Sequence, residues 1–179
     1  DIDTCFFYEI NEHTNPESIQ THLSILKQFD AVLMSDAGCP AVADPGMLLV
    51  ALAHQHAIKV VPLVGPSSIL LGLMASGLNG QNFSFLGYLP QKKEDKIQKI
   101  KRIGALAHEQ TFSCIETPYS NGKTLELFLQ YLPSHLRLCI ACDLTHTTQE
   151  FIQTKTIQAW KKNPPQDLHK RPTIFFIGV

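Results

Sequence analysis

Two segments carry the residue types from which a binding site for a small polar ligand can be built. The first, Ser35-Asp36-Ala37-Gly38-Cys39-Pro40-Ala41-Val42-Ala43-Asp44-Pro45-Gly46, directly follows the apolar run Ala31 to Met34, which reads as a short buried strand. Open α/β sheets bind ligands outside the carboxyl ends of their strands, and this loop stands at such an end. Gly38 and Gly46 allow close backbone approach or positive φ, while Pro40 and Pro45 stiffen the loop. Asp36 is suited to accept hydrogen bonds from ribose hydroxyls. A connecting loop in which Asp44 caps the following helix uses the same residues. The second segment, Val60-Val61-Pro62-Leu63-Val64-Gly65-Pro66-Ser67-Ser68-Ile69, runs from strand through turn to helix. Ser67 is placed as an N-cap, and the helix start offers unpaired N–H groups and partial positive charge to a carboxylate or phosphate. Strand-turn-helix capping alone explains this segment too.

Other signals are weaker. Lys92-Lys93-Glu94-Asp95-Lys96-Ile97-Gln98-Lys99-Ile100-Lys101-Arg102 is rich in cations that can touch phosphates, although a solvated helix face has the same composition. Lys161-Lys162 and His169-Lys170-Arg171 form another possible basic edge. Cys139-Ile140-Ala141-Cys142 has CxxC spacing, but within a strand its two sulfurs point to opposite faces, and no second pair completes a zinc site. The eight histidines show no metal-ligand spacing, so no metal is expected. Neither a G-x-G-x-x-G fingerprint nor a Walker A loop appears. Trp160 reads as a packing residue.

The elements that must position these groups alternate in the manner of βαβ units. Expected in turn are a strand at Cys5 to Tyr8, a helix from Asn15-Pro16 with Ile19, Leu23 and Leu26 inward, and the strand Ala31 to Met34. A helix at Met47 to His56, the strand Ile58 to Val64 and a helix ending near Gly77 complete an N-terminal α/β lobe, residues 1–81. Polar Asn79 to Asn82 serves as a hinge. The C-terminal lobe, residues 82–179, is expected to hold strand Phe83 to Gly87, helix Lys92 to Ala107, strand Thr111 to Ile115, helix Asn121 to Tyr131, strands Leu136 to Cys142 and Gln149 to Gln153, and a closing strand Thr173 to Ile177. At 179 residues and 44% apolar content the chain suffices for two small lobes. Fifteen Lys plus Arg against sixteen Asp plus Glu leave a net charge of -1, so any nucleic-acid contact must come from a local patch. Five scattered cysteines lack a disulfide framework and fit a reducing, cytoplasmic setting. No apolar run reaches the length of a membrane-spanning helix. Because the chain opens on Asp1 close to a strand-like run, upstream sequence is expected.

SDAGCPAVADPG, then VVPLVGPSS, then MASGLNGQNFSFLGYLP, in that order, resembles the tetrapyrrole-methylase superfamily, specifically its branch of small-subunit ribosomal RNA 2'-O-ribose methyltransferases. That branch carries SDAG-T-P, DPG, PGPS, ASGLP and GFLP in succession. Asn11-Glu12-His13-Thr14, Glu116-Thr117-Pro118-Tyr119 and Asp143-Leu144-Thr145 extend the likeness to nearly the whole chain. Departures are Cys39 for the usual Thr, Val64 for the Pro of PGPS, Tyr119 for the usual His, and no counterpart of the family's opening strand and Pro-Thr-Pro-Ile-Gly-Asn-Leu loop.

The resemblance implies the α/β fold of a class III methyltransferase: two lobes, usually in a homodimer, with S-adenosyl-L-methionine in a trough between them. Carried over position by position, cofactor contacts fall on Asp36, Cys39, Ser67, Ser68, Glu116 and Leu144, with Arg171-Pro172-Thr173 as a further wall and Asp36 also suited to lie near the positive sulfonium. The implied substrate is a ribose of small-subunit ribosomal RNA. The superfamily's crevice serves tetrapyrroles and other small molecules equally, and a non-catalytic cofactor-binding homologue is a third reading. Methyl transfer is largely a matter of alignment and water exclusion, but a ribose hydroxyl is a weak nucleophile that benefits from a general base. His13, Asp44, Glu116 and Tyr119 are possible; none is singled out.

Overall fold

Helices form where the chain supplies both a start signal and an inward apolar stripe. In α1 (Pro16–Leu26) the Asn15 side chain accepts from the Ser18 N–H at 2.8 Å, and Ile19 and Leu23 are buried. The computed structural model describes residues 2–165 and 167–179. They fall into two compact units, one ending at Ser67 and the other spanning Ser68–Val179.

The first unit also contains α2 (Met47–Gln55), which packs on α1. Three expected strands are corrected here. Cys5 to Tyr8, Ala31 to Met34 and Ile58 to Val64 carry no strand among the described residues, and apart from half-buried Leu33 and Ile58 their apolar side chains are exposed: Phe6 is 87% exposed and Leu63 79%. The physical reason is that a strand exists only by hydrogen bonding to a neighbour. β-propensity without a ladder partner leaves a segment that joins no sheet.

The second unit is built on a sheet of order β1-β2-β5-β3-β4, from β1 (Phe83–Tyr88), β2 (Thr111–Ile115), β3 (Arg137–Cys142), β4 (Phe151–Thr156) and β5 (Thr173–Gly178). The expected run of βαβ crossovers holds only for β1 and β2, which are parallel across α4 (Lys93–Leu106). β5 inserts antiparallel between β2 and β3, and β3 pairs antiparallel with β4, so the sheet is mixed. Helices α3 (Ser68–Ser76), α5 (Asn121–Tyr131) and α6 (Ile157–Lys162) complete the unit. α6 has no counterpart in the sequence reading; its signal is Thr156, whose hydroxyl accepts from the Ala159 N–H.

Both sheet faces are covered. One carries Ile100, Phe112, Phe128, Leu138, Trp160 and Phe175, with Phe128 and Phe175 edge to face at 5.3 Å. Trp160 is fully buried and donates its Nε1–H to the Leu138 carbonyl at 2.8 Å, as suits a packing residue. The other face carries Leu73 of α3 against Cys139, Ala141, Ile174 and Phe176. Gly72 makes that approach possible: a Cβ there would lie 2.5 Å from the Phe176 ring. Cys139 and Cys142 belong to opposite faces, as strand alternation requires. α3 thus packs with the sheet, a division of contacts separate from the lobes 1–81 and 82–179 read from sequence.

Candidate functional site

In the second unit the sheet order gathers one rim. β1, β2 and β3 run the same way, so Tyr88, Ile115 and Cys142 end at the edge where β5 begins, with Ile115 opposite Ile174 and Cys142 opposite Thr173. Segments 116–121, 143–150 and 168–172 meet there. The Arg171 guanidinium donates to Asp143 Oδ2 at 2.7 Å and to the Gln149 carbonyl at 2.6 Å, while the Asp143 N–H donates to the Pro172 carbonyl at 2.9 Å. The hydrogen bond to Asp143 holds Arg171 still further toward its charged form. Asn121, fully buried at the start of α5, donates to the carbonyls of Leu168 (3.3 Å) and Arg171 (2.8 Å). Leu144 is half-buried at the rim.

Glu116, expected to touch a cofactor, turns its side chain into the protein. Its Oε1 receives the Lys96 ammonium and, at 3.0 Å, the Thr124 hydroxyl, which accepts from Lys96 at 3.2 Å. Glu116 Oε2 is buried without a hydrogen-bond partner among the described residues. Desolvation of such a pair is offset only by close, well-satisfied geometry. Lys96 is therefore withdrawn from the cation run Lys92 to Arg102, while Lys92, Lys93, Lys101 and Arg102 are exposed. The signal for this was present: within the helix, Lys96 and Ile100 fall four apart on the inward stripe. Burial, reinforced by the nearby Glu116 carboxylate, pushes the Cys114 thiol far above its ordinary range, so it is no nucleophile.

In the first unit the two motif segments meet each other. The Cys39 thiol donates to the Pro66 carbonyl at 3.2 Å, joining the Gly/Pro-rich loop to the turn that precedes Ser67 and Ser68. α3 begins at Ser68, immediately after Ser67. Asp36 is exposed; Cys39 and Ser67 are half-buried. Asp44 accepts from the Ser35 hydroxyl at 3.0 Å and braces the loop, so it is not the cap of α2, whose N-cap is Gly46 at φ 127°. His13 lies exposed beside Glu12.

Backbone strain marks both places. Non-glycine residues in the left-handed region are Ala41 (63°) and Ala43 (55°) in the loop, and Asp143 (48°), Thr145 (69°) and Lys170 (61°) at the rim, Ala57 (55°) being the other among the described residues. Each costs about 1–2 kcal/mol and persists only where its surroundings hold it.

No protein-family model matches the chain. Among curated relatives, a Vibrio cholerae protein named ribosomal RNA small subunit methyltransferase I is 33% identical over 78% of this chain and 48% of its own length. One of the same name from Mesorhizobium japonicum is 35% identical over 83% of this chain and 50% of its own. The chain spans about half the length of the curated relatives it matches. Among solved structures, the methyltransferase CobJ superposes with a TM-score of 0.60 at 14% identity, covering 90% of this chain and 70% of that one. The fold is that of the class III methyltransferases. Over most of its length the chain is similar to proteins named ribosomal RNA small subunit methyltransferase I, and it matches about half the length of each.

Proposed function

We propose that the chain is part of an S-adenosyl-L-methionine-dependent methyltransferase that 2'-O-methylates a ribose of small-subunit ribosomal RNA. The observation that carries this reading is the extended match to relatives bearing that enzyme's name. The residues present suit the cofactor. A Cβ added at Gly38 or Gly65 meets no atom within 4 Å, so the backbone of both motif segments is open to close approach, and Asp36 stands exposed beside the first. When bound, the cofactor supplies an electrophilic methyl group.

The chain's own residues bind and orient. Asp36 accepts from ribose hydroxyls, Cys39 fixes the loop against the turn, and Ser67 and Ser68 offer a helix start to the cofactor's carboxylate. In the C-terminal lobe Leu144 supplies an apolar wall. Glu116 contributes through its backbone, because Lys96 and Thr124 hold its side chain inside. Of the groups considered as general base, Asp44 and Glu116 are engaged in internal hydrogen bonds, while Tyr119 and His13 are exposed. The lobes 1–81 and 82–179, a homodimer and a cytoplasmic setting belong to the same proposal.

Incubation with methyl-labelled cofactor and either small ribosomal subunits or a tetrapyrrole panel tests it. Label in RNA, in a dinucleotide resistant to alkali as 2'-O-methylation makes it, is the expected result. Label in tetrapyrrole alone overturns the substrate, and tight cofactor binding without transfer to either overturns the activity.

A further inference from the structure

Tyr119, in the Glu116-Thr117-Pro118-Tyr119 segment, belongs to a surface feature that lies outside the proposed cofactor contacts. Tyr119 is 67% exposed. His169, also exposed, meets its ring edge to face at 5.6 Å, and the Lys170 ammonium lies 5.9 Å from the ring centroid. Nothing buries these groups for stability, yet the backbone beneath them is tightly specified. Lys170 is held at φ 61° with its N–H donating to the Pro118 carbonyl at 3.1 Å, which ties the 168–171 segment to the loop bearing Tyr119. Buried Asn121 grips the same segment through the Leu168 and Arg171 carbonyls, and Arg171 is locked by Asp143. α5 starts two residues after Tyr119 with no acidic residue in its first turn. The opposing charge is Asp167, whose carboxylate accepts the His169 N–H at 2.8 Å. An exposed aromatic pair with one adjacent cation, fixed by a strained and buried framework, is organised to receive a flat ring carrying a nearby anion.

We propose that Tyr119, His169 and Lys170 form a docking platform for one unpaired nucleotide of RNA, the base stacking on the aromatic pair and its phosphate meeting Lys170. Stacking tolerates any base, so the platform positions RNA without reading its sequence. The proposal rests on the RNA-methyltransferase reading and adds to it a contact outside the cofactor residues. An unpaired nucleotide is required because the faces of paired bases are covered by their stacked neighbours.

Fluorescence anisotropy with a single-stranded RNA oligonucleotide of mixed sequence and its duplex tests it on the whole chain, each variant being checked by thermal denaturation and by calorimetric titration with S-adenosyl-L-methionine. Tyr119→Leu is expected to weaken single-strand binding at least about fivefold, the low end of one base stack, and Tyr119→Phe to restore it to within about twofold. Lys170→Gln is expected to lower the slope of log affinity against log salt by about 0.7, one phosphate contact on a single strand. Melting temperature and cofactor affinity should not move. Equal RNA affinity for wild type, Tyr119→Leu and Lys170→Gln overturns the platform while leaving the enzyme reading intact. Cofactor binding by a wild-type chain that binds no RNA overturns both the platform and the RNA substrate, and preference for duplex over single strand overturns the platform.

Discussion

The two compact units treat apolar sequence in opposite ways. In Ser68–Val179 the runs Phe112 to Cys114, Leu138 to Cys142 and Ile174 to Ile177 are interior strands with neighbours on both sides, and their side chains are buried. In the unit ending at Ser67, Phe6 to Tyr8, Ala31 to Met34 and Val60 to Val64 have similar composition but no ladder, and all but half-buried Leu33 remain exposed. The difference teaches that β-propensity is a preference for a half-buried pleated surface and takes effect only when another strand provides one. The same contrast separates the candidate regions that each unit carries. The sheet rim is braced by buried groups, whereas the Asp36 loop is held by the Ser35–Asp44 hydrogen bond and the Cys39–Pro66 contact.

The largest test of this contrast is Phe175→Ala. Phe175 is fully buried against Phe128, and its loss should cost about 3–5 kcal/mol in urea denaturation. Lys96→Met should cost on the order of 3 kcal/mol, because it strands the Glu116 carboxylate in the interior, and adding Glu116→Leu should recover most of that loss. A double variant no better than the single would show that the pair is not what the site depends on. Gly72→Ala drives a methyl group into the Phe176 ring and should cost about 1–3 kcal/mol. Gly38→Ala meets no neighbour, so its cost is conformational only, about 1 kcal/mol from a φ of 81°. Smallest of all, Leu63→Ser should change stability by less than about 0.5 kcal/mol. A loss comparable to that of Phe175→Ala would instead place Leu63 in a packed core and break the comparison between the units.

Local information was legible to a useful depth. β2 at Thr111–Ile115 and α5 at Asn121–Tyr131 lie where periodicity predicts them, and α1 starts at its Asn15-Pro16 signal. Short α6 escaped because six residues hold less than two helical turns, too few for a period to register. The motif loop and the turn before Ser68 were recognisable as chemically equipped, and the Cys39–Pro66 contact brings them together. Lys96 was misplaced: in a run of cations its charge suggests solvent, while its position on the helix directs it inward.

The sequence by itself determined which stretches are amphipathic, where helices are capped, and which family motifs occur in which order, since each depends on residues within a few positions of one another. Only the tertiary structure decided that β5 inserts between β2 and β3, that Lys96 meets Glu116 and Thr124, and that the 168–171 segment reaches Tyr119. Those outcomes join residues 20 or more positions apart, and strand order follows from whole faces finding cover. No local pattern encodes a partner that far along the chain.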